Sequence, residues 1–167
     1  MLRAAKLEPR LYEEVKTDTG ATWQALGVVV LSSLAAGIGS SRHTGLGGLV
    51  VGGLMALIAW CVWALLTSMI GARLFPMSQT SVRHREVWRT LGFASAPGIF
   101  RVFGAAPGCT GIAFLVATVW MLIAAVVAVR QALAYTSTAR AVGVCLPGWC
   151  VHVFLVFFLL LLLGQGE

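Results

Sequence analysis

Two side chains able to do chemistry lie inside long apolar runs: Arg101, three residues before Gly104, and His152, which alone is polar between Val151 and Leu163. An arginine within a membrane-crossing segment costs about 2.5–3.5 kcal/mol on insertion scales unless it pairs or reaches the headgroups. Here the chemistry would be anion or substrate contact. Pro97-Gly98 interrupts the helix just before Arg101, and half-helix ends beside a guanidinium suit an anionic group. The plainer alternative is that Arg101 snorkels to the nearer headgroups. His152 is similarly open, either as a neutral imidazole bonded to a neighbouring helix or as a ligand.

Other chemistries find no residues to carry them. Glu8, Glu13, Glu14, Asp18, Glu86 and Glu167 all fall outside the apolar runs, so the buried carboxylate typical of proton-coupled pumps is missing. There is no GxSxG, HExxH or GxxxxGK, and Gly45-x-Gly47-Gly48 fails the dinucleotide pattern. Cys61, Cys109, Cys145 and Cys150 form no CxxC and have no histidine at metal spacing, so they are read as packing residues. Cys145 and Cys150, five positions apart, should face different sides of one helix. The expectation is a protein that is not an enzyme and has no cofactor, metal or catalytic residue.

The elements that position Arg101 and His152 follow from composition. With 59% hydrophobic and 11% charged residues and a mean hydropathy of +0.90, the chain is read as an all-α, multispanning membrane protein. Its basic pI of about 9.8 reflects cations beside apolar runs that face lipid headgroups, and nucleic acid is not expected as a partner. Five transmembrane helices are expected over about 21–38, 45–70, 87–104 (broken at Pro97-Gly98), 111–129 and 141–163, with a loop over 39–44 between the first two. A short amphipathic helix over 7–17 precedes them, with Pro9 at its first position and Leu7 against Tyr12. It either lies at the interface or docks on the bundle's end, and Asp18 or Thr19 caps the first span. Pro147-Gly148 invites a kink in the fifth span.

Charge tests the number of crossings. With five, one side holds Arg3, Lys6, Arg10, Lys16, Arg73, Arg83, Arg85, Arg89, Arg130 and Arg140, and the other holds Arg42 and Arg101. The positive-inside rule then places the N-terminus in the cytoplasm and the C-terminus outside. Four crossings, with the third segment on the surface, would divide the cations less sharply. Arg83, Arg85 and Arg89 become cytoplasmic lipid or partner contacts. Gly48-x-x-x-Gly52 and Ser33-x-x-x-Gly37 strip bulk from one helix stripe, which suits packing within the chain or between copies.

The order of several short motifs adds a resemblance. Tyr12-Glu13-Glu14 leads to Asp18-x-x-Ala21-Thr22; Trp88-Arg89-x-Leu91-Gly92-Phe93-Ala94-x-Ala96-Pro97 follows; Val129-Arg130-Gln131-Ala132-Leu133 precedes Ser137-Thr138-x-Arg140-Ala141. Across nearly the whole chain this resembles the bacterial branch of the YIP family, the Ypt/Rab-interacting membrane proteins. The resemblance implies five spans, a cytoplasmic N-terminus and no enzymatic activity. Eukaryotic relatives are linked to Rab GTPases, but this chain lacks their longer cytoplasmic domain and their Asp-Leu-x-Gly-Pro and Gly-Tyr signatures. A Rab partner is therefore not carried over. The resulting expectation is a scaffold or accessory subunit of the bacterial cytoplasmic (inner) membrane, in contact with lipids and with a copy of itself or another membrane protein. The alternative is a small transporter or channel using the broken third span and Arg101.

Overall fold

The computed structural model describes residues 2–18, 20–74 and 84–164, and for some helical residues, Gly48 and His152 among them, it describes the backbone alone. The described chain is all-helical. It contains α1 (Leu2–Ala5), α2 (Pro9–Thr17), α3 (Ala21–Leu74), α4 (His84–Ala94), a 3-10 helix (Ala96–Ala105), α5 (Thr110–Ala132) and α6 (Thr138–Gly164). Among the described residues, three helical stretches are long and apolar enough to cross a membrane: Ala21–Ser41, Leu49–Gly71 and Thr110–Ala132.

The expected loop over 39–44 is corrected: those residues have helical backbone, although Ala21–Ser41 and Leu49–Gly71 do not continue along one axis. Straight, this helix would set Gly37 about 18 Å from Leu49. Instead, a Cβ built on Gly37 would collide with the Leu49 carbonyl and stand 3.2 Å from the Gly53 nitrogen, and one on Gly52 would lie 3.6 Å from the Gly37 Cα. The chain doubles back, and Ser33, Gly37, Gly52 and Gly53 form the seam between the two arms. Glycines make this approach possible because no side chain holds the backbones apart.

The third segment packs on the first arm of α3 in a repeating register. Cβ atoms added to Gly92, Gly98 and Gly104 would meet Ala25 (2.8 Å to its Cβ), Ser32 (3.1 Å to its Cβ) and Gly39 (3.0 Å to its carbonyl oxygen). Small residues thus recur every seven positions on α3 and every six on its partner. Seven residues of α-helix bring a position back to within about 20° of the same face. Six residues do so only in a 3-10 helix, which has three residues per turn. Over the register, fourteen α-helical residues rise about 21 Å, and the partner's mixed α and 3-10 backbone rises a similar roughly 22 Å. Both contact series ascend, so the two segments run parallel. The α-helical stretch ends at Ala94, three residues before Pro97, and Gly98 donates its N–H to the Ser95 carbonyl at 2.9 Å.

The packing is inverted relative to a water-soluble fold. Along α5 the buried positions are Ala117, Ala124, Ala125, Ala128, Val129 and Ala132, while Ile112 and Leu115 are 69% and 66% exposed. Small residues allow close helix approach, and the large apolar side chains face outward, where lipid is the solvent that accepts them. This is the arrangement of a multispanning membrane protein.

One end of the bundle collects the cations. Tyr135 donates to the Gly71 carbonyl (3.3 Å), joining the ends of α3 and α5, and α2 packs against α4 and α5 at the same end. Arg89 is buried there, and its guanidinium donates to the Lys16 (2.8 Å) and Asp18 carbonyls, closing the C-terminus of α2. Lys16 reaches the Gln131 carbonyl at 3.5 Å. Of the two expected positions for the N-terminal helix, docking on the bundle is the one observed. Asp18 accepts the Gly20 N–H at 2.8 Å and leads into α3, while Thr19 lies outside the described residues. Leu7 (φ 60°) and Ala134 (φ 52°) end α1 and α5 in Schellman motifs, in which Glu8 donates to Arg3 and Tyr135 to Arg130.

Candidate functional site: a polar chamber at the bundle centre

The first arm of α3, its second arm, the third segment, α5 and α6 converge on a cavity of about 30 Å³. Its polar lining comes from Ser32 and Ser33, Ser95, Arg101 and Thr118, with Trp60 among its aromatic walls. A volume near 30 Å³ is more than the roughly 10–15 Å³ needed to admit one water, so the chamber has room for a water-sized occupant.

Depth follows from the register. A Cβ on Gly98 would meet Ser32 and, at 2.9 Å, the Met121 sulfur; Ser32 and Met121 lie at or beside the midpoints of Ala21–Ser41 and Thr110–Ala132. The Arg101 Nη2 donates to the Thr118 hydroxyl at 3.2 Å, and its guanidinium carbon stands 5.6 Å from the centre of the Phe114 ring. Thr118 is three residues, about 4.5 Å of helix, from the Met121 level. Arg101 therefore turns into the bundle and does not snorkel outward. Its Nε and the Trp60 Nε1 are buried with no hydrogen-bond partner among the described residues. Buried donors of this kind cost free energy until something accepts from them.

The structure brings Arg101, Pro97 and Gly98 together with Ser32. Gly98 lets the third segment approach α3, and Pro97 sits in the first turn of the 3-10 helix, where a missing N–H is tolerated. Ser33, Gly37 and Gly52 meet one another within the chain. Arg85 is exposed, whereas Arg89 is mostly buried against α2. Arg83 lies outside the described residues, as does the His152 side chain, and Gly48 is described only as helical backbone. Cys145 is buried and Cys150 exposed, on different faces as their spacing requires. Helix α6 continues through Pro147.

Sequence reasoning missed Ser32, Ser95 and Thr118, which are isolated hydroxyls in apolar runs. The six-residue spacing of Gly92, Gly98 and Gly104 is a signal for Ser32 alone, which the structure sets against Gly98; Ser95 and Thr118 carry none. Outside the spans, Arg3 pairs with Glu8 (2.7 Å) and Glu14 (3.0 Å). Its hydrogen bond and charge hold the Glu14 carboxyl below the usual range. Burial pushes the Tyr12 phenol up, while its hydroxyl donates to the Ala4 carbonyl at 3.2 Å. Compared with protein-family profiles, curated proteins and solved structures, the chain matches none of them.

Proposed function

We propose that this is a five-crossing, non-enzymatic protein of the bacterial cytoplasmic membrane, N-terminus inside and C-terminus outside, whose central chamber binds and passes a small anion. The observation that carries the reading is Arg101, turned into a mid-depth cavity with an unpartnered buried Nε. Arg101 and Trp60 supply N–H donors, the serines and Thr118 add hydroxyls, and no acidic residue lines the chamber. A pore or site whose lining donates protons and carries fixed positive charge favours anions over cations. The chamber has room for a monatomic anion.

Two further supports concern topology. The parallel register of the third segment and the first arm of α3 gives both the same direction across the bundle. The cation-rich end, with Arg3, Lys6, Arg10, Lys16, Arg73, Arg85, Arg130 and Arg140, belongs on the cytoplasmic side by the positive-inside rule. Membership of the YIP family remains part of the proposal and rests on the motifs of residues 88–97 and 129–141.

The test is halide flux from chloride-loaded proteoliposomes containing the full chain. Flux above protein-free vesicles, lost in Arg101→Gln and partly kept in Arg101→Lys, is expected. Vesicles no leakier than protein-free ones would refute a passage role. The scaffold or accessory reading draws on the exposed cations of the same end, such as Arg10 and Arg85. It gains less from the small-residue stripe, because Ser33, Gly37 and Gly52 are already engaged inside the chain.

A further inference from the structure

A second cavity, of about 440 Å³, opens on the flank of the bundle near the cation-rich end. Its walls are Thr22, Ala25 and Leu26 from the first two turns of α3, Trp60 from the second arm, and Arg85, Trp88 and Arg89 from α4. Trp88 stands edge-on to Trp60, with ring centres 6.1 Å apart. Leu26 is 43% exposed along the open side. The volume falls in the range of about 300–1,000 Å³ typical of clefts that bind organic ligands.

We infer that this groove binds one anionic phospholipid from the leaflet facing the N-terminal helices, its phosphate at Arg85 and its acyl chains along Leu26 and the two tryptophans. Three features select that occupant. The groove lies at the boundary of Ala21–Ser41, a stretch long and apolar enough to cross a membrane, so lipid is the molecule that reaches its open side. Its mouth carries the exposed cation Arg85, and juxtamembrane arginines attract anionic headgroups. Its lining includes Arg89, which is buried and whose Nε–H has no partner among the described residues. Arg89 bonds the end of α2 through one N–H of each terminal nitrogen, which leaves that Nε–H facing the groove's lining unpaired. An apolar trough ending in a cation and an unpaired donor matches a molecule that is apolar along its length and anionic at one end. A zwitterionic lipid satisfies the walls but gains less at Arg85.

The inference rests on the membrane character of the chain and not on the central chamber, so loss of halide flux would leave it standing. The experiment is native mass spectrometry of the detergent-purified full chain titrated with phosphatidylglycerol or phosphatidylcholine of the same acyl composition. One phosphatidylglycerol retained in preference to phosphatidylcholine is expected. Arg85→Gln should weaken that retention roughly fivefold, the worth of one juxtamembrane cation. Leu26→Trp, which fills the open side with bulk at an exposed position, should weaken it as well. Arg73→Gln, which removes an exposed cation at the same end but off the groove, should leave it unchanged. Equal retention of the two lipids, or equal losses in Arg85→Gln and Arg73→Gln, would overturn the inference.

Discussion

Replacing Gly27 and Gly39 with alanine, one at a time, sets two physical effects against each other on the same arm of α3. An added Cβ on Gly27 meets nothing within 4 Å, whereas on Gly39 it would collide with the Arg101 carbonyl and stand 2.9 Å from the Phe114 ring. At Gly27 the helix-propensity gain acts alone and stabilises by about 0.5–1 kcal/mol. At Gly39 the obstacle includes backbone, which cannot rotate away, so the third segment must shift off its register. Overpacking of that kind costs about 1–3 kcal/mol. Both variants gain the propensity term, so they should differ by the overpacking cost, roughly 1–3 kcal/mol. Equilibrium unfolding in mixed detergent and SDS micelles, followed by tryptophan fluorescence, reads the difference directly. Equal stability of Gly27→Ala and Gly39→Ala would refute the parallel small-residue register and with it the depth assigned to Arg101.

Three other outcomes are expected. Arg89→Gln removes charge-assisted hydrogen bonds to the Lys16 and Asp18 carbonyls, each worth about 1.5–3 kcal/mol; hydrogen exchange across Pro9–Thr17 should accelerate, and unchanged exchange would show that α2 is held otherwise. Glu14 has a lowered folded pKa through Arg3, so the Arg3–Glu14 clasp is fully present above the unfolded carboxylate pKa of about 4.3 and is lost as pH falls through the lower folded value. Carboxyl titration by NMR should show this depression in the native chain and not in Arg3→Gln. Tyr135→Phe removes the hydroxyl that reaches Gly71 at 3.3 Å and should cost about 0.5–1.5 kcal/mol in the same micellar unfolding assay.

The sequence made some of this legible because certain signals are local. Pro9 and the Leu7-to-Tyr12 spacing mark α2, and the apolar runs mark the membrane-crossing stretches, since both depend on neighbours along the chain. The break beside Pro97 is local too, and so it was foreseen. What replaced it was not: a ten-residue 3-10 helix is uncommon, and it becomes favourable only when Gly92, Gly98 and Gly104 meet Ala25, Ser32 and Gly39 across the bundle. Arg89 illustrates the same limit. Its neighbours suggested a lipid-facing charge, but the orphan carbonyls that hold it belong to residues more than seventy positions earlier. Arg101 was open between two depths on sequence alone because snorkelling and inward turning need the same residue, and only the position of Thr118 distinguishes them.

The parallel register also fixes a parity. Because the third segment ascends beside the first arm of α3, the chain from Ala25 to Gly104 makes an odd number of traverses, and the turn at Ala106–Cys109 emerges at the end opposite the N-terminal helices. Cys109 is exposed in that turn, whereas Cys145 is buried. In a sealed vesicle a membrane-impermeant thiol reagent would therefore meet Cys109 from one compartment only, and a tag fused ahead of α1 would report from the other. Cys109 and the N-terminal helices thus lie at opposite ends of the bundle, and the labelling is read in a Cys150→Ser background because Cys150 is exposed as well.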